Sequence, residues 1–140
     1  MSGEVVKAPR QELQFGPRAH TAERGPFTDH QLSRLDEALT LSSRETGLTF
    51  SVYVGALKDP TRAHAEALFE KLDDHSVLLA VSPGQRVLHI VTGPDSVKRL
   101  PNRSCALAAL AMRASFANGD LTGGIVTGLR MLADAAGTSG

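Results

Sequence analysis

The residues with the most chemical potential in this sequence are Asp73, Asp74 and His75, three consecutive groups able to ligate a divalent cation or to trade protons. Such a trio suits a weak, metal-assisted hydrolase of the phosphatase type. Nothing else in the sequence completes a coordination shell around it, so a solvated loop is the plainer reading. His20, His30, His64 and His89 form no pair at metal-ligand spacing on one element, and no metal or cofactor is expected. His89 lies between Val87 and Val91 in an apolar run, where a hydrogen-bonded structural histidine is preferred to a catalytic one. Cys105 sits near the start of a predicted helix, two residues after Arg103, and both the helix dipole and the positive charge favour a thiolate there. No base accompanies it, and small helix-buried cysteines are common. The chain contains neither G-x-x-x-x-G-K-S/T nor G-x-G-x-x-G, so no phosphate loop is expected. No catalytic set is assigned on these grounds.

The elements that must position these residues centre on Val77–Gly93. Two apolar runs, Val77–Val81 and Val87–Val91, flank Ser82-Pro83-Gly84-Gln85-Arg86, a pattern that predicts a β-hairpin. Their near-continuous hydrophobicity predicts cover on both faces. Upstream, Thr28 or Asp29 caps a helix running to about Glu45, with Leu32, Leu35, Ala38 and Leu39 inward and Gly47 at its end. Leu48–Gly55 alternates as a strand, and a second helix follows with Ala65, Leu68, Phe69 and Leu72 buried. Strand, helix, strand implies a right-handed parallel crossover, so the sheet is mixed. An alanine-rich helix to about Phe116 should turn Leu107, Leu110, Ala111 and Ala114 inward. A last helix, capped by Asp120 or Thr122, buries Ile125, Leu129, Leu132 and Ala136, and its Gly123, Gly124 and Gly128 allow close approach to the sheet. The expected fold is α/β: a three-layer α/β/α sandwich with a small mixed sheet, a β-α-β crossover plus hairpin, and C-terminal helices. Residues 28–137 form the domain, 1–27 a flexible arm and 138–140 a frayed tail.

Composition narrows the function classes. Acidic and basic residues balance to a formal charge of zero, which carries no nucleic-acid signature, and the scarcity of aromatics argues against a stacking platform. Cys105 is the only cysteine, which excludes an internal disulfide and fits a reducing compartment. The first residues show no secretory pattern and no run approaches a membrane span, so a cytoplasmic protein without direct membrane insertion is expected.

Charge is nevertheless uneven along the chain. Arg86, Lys98, Arg99, Arg103 and Arg113 fall around the last strand and the helix after it, whereas Asp59, Glu66, Glu70, Asp73 and Asp74 make the preceding region acidic. If those faces stay apart, the dipolar surface can orient the domain on a partner. The five cations, with Phe15 and Phe27 in the arm, are therefore the candidate partner-binding residues. A homodimer is the simplest alternative partner.

The order of elements resembles the TPM domain family. The likeness covers about residues 29–136. It rests on Gly47-Leu48-x-Phe50-x-Val52-x-Val54, on the helix with Ala63, His64, Ala67, Leu68 and Phe69, and on Val77–Val81 and Arg86–Gly93. The tail Phe116-x-Asn118-Gly119-Asp120 with Gly124, Gly128 and Leu129 completes it. The chain departs from that family's usual glycine-rich acidic stretch after the last strand, and neither a signal peptide nor a membrane anchor is expected from its sequence. More narrowly, the chain is similar to small cytoplasmic actinobacterial proteins of this kind. The resemblance implies a non-enzymatic accessory role, peripheral at the inner face of the cell membrane, on an assembly such as the respiratory supercomplex of quinol–cytochrome c reductase and terminal oxidase. It also implies the phosphatase-like alternative, without a motif that carries over residue by residue.

Overall fold

The computed structural model describes residues 13–15 and 26–138. Thr28 opens α1 (Asp29–Thr46) with a capping box: the Gln31 amide donates to Thr28 Oγ1 at 3.1 Å, and the Thr28 amide donates to Gln31 Oε1 at 2.9 Å. Gly47 closes the helix in the left-handed region at φ 79°, where a side chain would be disfavoured. β2 (Thr49–Val54) follows, then α2 (Thr61–Phe69), then β3 (Ser76–Ser82). A 3-10 turn at Pro83–Gln85 leads into β4 (Val87–Thr92). α3 (Asn102–Ala117) and α4 (Leu121–Ala136) complete the chain, with the Asp120 carboxylate accepting from the Gly123 amide at 2.9 Å as the cap of α4.

β2 and β3 run parallel, with Val52 beside Leu79, and β4 returns antiparallel to β3, with Leu79 beside Ile90. This is the mixed sheet that crossover and hairpin together require. Alternate residues divide it into two cores. Phe50, Val52, Leu79, Val81, Leu88 and Ile90 pack with α1, α3 and α4. Tyr53, Leu78, Ala80 and Val91 pack with Ala65, Leu68 and Phe69 of α2. Three layers result, one helix on one face and three on the other.

Two features revise the expected arm. Leu13–Phe15 forms an edge strand, β1, antiparallel to β2, with Phe15 beside Val52. A strand as buried as β2 would otherwise present a row of unpaired backbone groups, and β1 covers it. Phe27 is also part of the main core, at 5% exposure. It immediately precedes the Thr28 cap, and Phe27 with Leu32 occupy the two positions of a hydrophobic staple. The folded domain therefore starts before residue 28. The remainder of the expected arm, with His20, lies outside the described residues, as do the last two residues of the expected tail.

Candidate functional site

The residues with metal and acid–base potential do not converge. The Asp73 side chain is largely exposed and that of His75 about half-exposed, and they stand 4.0 Å apart. Asp74 acts through its main chain, its carbonyl accepting from the amides of Asp95 at 3.1 Å and Ser96 at 3.3 Å. The neighbouring Ser96 hydroxyl is buried, accepting from the Gly93 amide and donating to the Ser76 carbonyl. The trio precedes β3, at the amino end of the parallel pair, whereas α/β ligand sites lie beyond carboxyl ends. Among the described residues no three His, Cys, Asp or Glu side chains could jointly hold a metal ion.

Histidine and cysteine chemistry is similarly absorbed by the fold. His64 Nδ1 accepts from the Lys58 amide at 2.7 Å, and His89 Nε2 lies 2.9 Å from Thr61 Oγ1. Burial, reinforced by the charges of Arg62 and Arg113, lowers the His89 pKa and favours the neutral ring; Glu66 opposes this weakly. Burial pushes the Cys105 thiol up, against the smaller effect of Arg62. That is the reverse of the expected activation, because desolvation of the partly buried thiol outweighs the nearby positive charge.

The five candidate cations separate into different roles. Arg99 points inward: Nη1 donates to the Thr46 carbonyl at 2.8 Å, and Nη2 donates to the Ala136 and Gly137 carbonyls at 3.1 and 2.8 Å. One guanidinium thus ties together the carboxyl ends of α1 and α4. Lys98 pairs loosely with Asp95 at 3.9 Å. Arg103 is exposed in the first turn of α3. Arg113, further along α3, is exposed and donates to the Leu88 carbonyl of β4, the last strand of the described sheet, at 3.4 Å. Arg86 ends the hairpin turn in the left-handed region at φ 58°. Of the two candidate phenylalanines, Phe27 is buried, and Phe15 is described only as backbone in β1.

The largest departure from expectation is the orientation of α3. Leu107 and Leu110, expected inside, are 52% and 65% exposed, and Ala108 and Met112 are buried in their place. The cause lies on α4. A Cβ at Gly128 would overlap the Met112 sulfur, and one at Gly124 would come within 2.8 Å of Phe116 Cδ1. The two glycines are slots that receive Met112 and Phe116, four residues apart on α3. They serve helix-to-helix approach, not the helix-to-sheet approach expected from the sequence. At 3.6 residues per turn, turning 108, 112 and 116 inward turns 103, 107, 110 and 114 outward. The exposed face reads Arg103, Leu107, Leu110 and Ala114, with Arg113 beside it.

An open cleft of about 560 Å³ adjoins this face, at the carboxyl end of β3. Val81, Leu88, Phe116 and Leu121 supply apolar lining, and Arg86 and Arg113 supply charge. The turn beside it is held by Gln85, which accepts from the Leu57 amide at 2.7 Å and from Ser82 Oγ at 2.6 Å, and donates to the Leu57 carbonyl at 2.9 Å. Sequence reasoning missed Gln85 and the cleft, since both depend on contacts between segments distant in the chain.

Comparison with known proteins bears on the family and the fold. A sequence family described as a domain of unknown function, DUF5130, matches residues 15–133. The chain belongs to that family. Similar proteins include two from Mycobacterium tuberculosis, the uncharacterized proteins MT2543 (strain CDC 1551) and Rv2468c (strain H37Rv). Each is 36% identical over 109 residues, covering 76% of this chain and 65% of its own length. Among solved structures, the BA42 protein of Bizionia argentinensis superposes with a TM-score of 0.72 at 16% identity, over 79% of this chain and 81% of that one. The N-terminal domain of a P. gingivalis protein gives 0.70 at 17%, over 81% and 78%. Likeness at such identity shows the fold alone.

The family match corrects the TPM resemblance: the model that matches this chain is DUF5130 and not the TPM domain. The residues that carried the resemblance are requirements of the fold. Gly47 ends a helix, Gly119 takes φ 79°, and Gly124 and Gly128 accommodate α3 side chains. Among the described residues no helix is long and apolar enough to cross a membrane.

Proposed function

We propose that this domain is a non-enzymatic interaction module that docks on a protein partner through the outer face of α3. The observation that carries the reading is the exposure of Leu107 and Leu110 on a helix whose inward positions are filled by alanine and methionine. Covering the exposed parts of both leucines contributes about 2–4 kcal/mol, enough to anchor a small interface. Arg103 and Arg113 stand about 15 Å apart along the helix axis and flank the leucines. α3 carries no acidic residue.

This charge pattern selects the partner. A second copy pairing through the same helix brings like charges together in either orientation: Arg103 meets Arg113 when antiparallel, and each meets its own equivalent when parallel. The surface suits instead an amphipathic segment with an apolar stripe and carboxylates at both ends. The membrane assembly expected from the sequence, including a respiratory complex, drew its support from the TPM resemblance, so the partner is specified here by its chemistry.

The test is copurification with the tagged chain from detergent-solubilised membranes and from the soluble fraction, using wild type, Leu107→Gln/Leu110→Gln and Arg103→Glu. Both variants keep exposed helix positions helical, and a carboxylate in the first turn of α3 favours the helix. A stoichiometric partner lost with both variants, at unchanged thermal stability, supports the reading. Recovery from membranes extends it to an accessory role at a membrane assembly. A partner that binds both variants as it binds wild type sinks it, as does a homodimer held together by this face.

A further inference from the structure

The cleft beside α3 carries a separate inference. Its volume, about 560 Å³, lies within the ordinary range for small-molecule sites, and it combines an apolar lining with a few charged groups. Neither Arg86 nor Arg113 meets a carboxylate among the described residues, the ion pairs there being formed by other cations. Arg86 is also the one residue other than glycine, among those described, with a positive φ. That region favours glycine, and Gly84 stands only two positions earlier in the turn. An arginine held in a glycine conformation, against an apolar cleft and without a counter-ion, is arranged for an anion that comes from outside.

We infer that the cleft binds a small carboxylate with an apolar body, the carboxylate held by Arg86 and Arg113 and the body by Val81, Leu88, Phe116 and Leu121. A planar guanidinium pairs with a carboxylate through two parallel hydrogen bonds, which fixes the ligand's orientation as well as its charge. A phosphate would draw on free amides at a helix N-terminus. The nearest such end, that of α4, is already occupied by its own Asp120 carboxylate, which accepts from the Gly123 amide. The cleft opens at the carboxyl end of the parallel β2–β3 pair, where α/β sheets place ligands.

The inference does not depend on α3 docking a protein, and its test separates the two. Decanoate, below its micelle concentration, is titrated into the full chain and followed by amide chemical shifts and calorimetry, with decanol and an acidic amphipathic peptide in parallel. Saturable decanoate binding that perturbs Ser82, Val87 and Arg113, at least tenfold tighter than decanol, is expected. Arg86→Gly should weaken it at least tenfold while leaving the thermal midpoint equal or higher, because glycine relieves the turn. Leu107→Gln/Leu110→Gln should bind decanoate as wild type does. The inference is overturned if decanoate fails to saturate, if decanol binds equally, if Arg86→Gly binds unchanged, or if only the peptide occupies the cleft.

Discussion

Arg99 offers the sharpest separation between a contact residue and a structural one. Truncation to alanine removes a guanidinium that donates to the Thr46 carbonyl at 2.8 Å and to the Ala136 and Gly137 carbonyls at 3.1 and 2.8 Å. Thr46 is fully buried, so its carbonyl loses a charged donor that water cannot readily replace, a loss of about 1.5–3 kcal/mol. The two α4 carbonyls lie at a half-exposed helix end, where water substitutes for about 0.5 kcal/mol each. Removing a cation from two helix C-termini adds roughly 0.3–1 kcal/mol apiece. Because these contributions overlap, Arg99→Ala should lose about 3 kcal/mol, or roughly 10 °C in Tm for a domain of this size.

Lysine at 99 keeps the charge near both helix ends but cannot bridge them, so Arg99→Lys should lose about half as much. Urea unfolding of both variants, with an unchanged m-value, provides the measurement. If Arg99→Ala loses less than about 0.5 kcal/mol, the tie between α1 and α4 is not what holds the helix ends. If Arg99→Lys folds as wild type and yet loses a protein partner, Arg99 belongs to the interface and the reasoning from its inward geometry fails.

Two further outcomes follow from the geometry. Gly93→Ala would drive a Cβ into the Asp74 carbonyl and within 2.8 Å of Phe69 Cζ. Two amides already fix that carbonyl, so a loss of about 3 kcal/mol in urea unfolding is expected, and a loss under about 1 kcal/mol would show that the backbone yields. The lowered pKa of His89 means that, below its ordinary value of 6.5, the unfolded chain binds a proton that the folded one resists. Stability should therefore fall as pH drops from about 6.5 and level off below the folded-state pKa. In His89→Gln that part of the pH profile should disappear, and its persistence would assign the slope to another group.

What was legible in the sequence is what short-range physics decides. The hairpin declared itself because two branched apolar runs flank a Pro-Gly turn, and the parallel crossover followed from strand, helix, strand. Thr28, Gly47 and Asp120 could be read as caps because capping joins residues three or four apart. Arg99 could not be read. Its partners lie 53 and 37 residues away, and a basic residue in a basic stretch looks like surface. β1 was hidden for the same reason: three residues become a strand only because β2 needs an edge. The candidate site divided along this line. Arg86, Arg103 and Arg113 remain at the proposed surfaces, whereas Arg99 and Phe27 are consumed by the fold.

α3 shows how a helix can be identified correctly and faced wrongly. In an alanine-rich helix the apolar stripe is ambiguous, and leucine outranks alanine in hydrophobicity, so the expected inner face followed Leu107 and Leu110. The actual face is set by slots on α4 that admit Met112 and Phe116, and two glycines one turn apart on one helix decide the orientation of the other. The outcome inverts the usual order of burial, with leucine outside and alanine inside. Nearby, Arg86 occupies a conformation suited to glycine. Neither choice helps the isolated domain: one leaves apolar surface in water, the other stores backbone strain. Arg86 lines the cleft at the carboxyl end of β3, and Leu107 and Leu110 lie on the helix whose Arg113 and Phe116 line it too. Both departures lack a compensating contact among the described residues, and the proposed docking face and cleft would account for them.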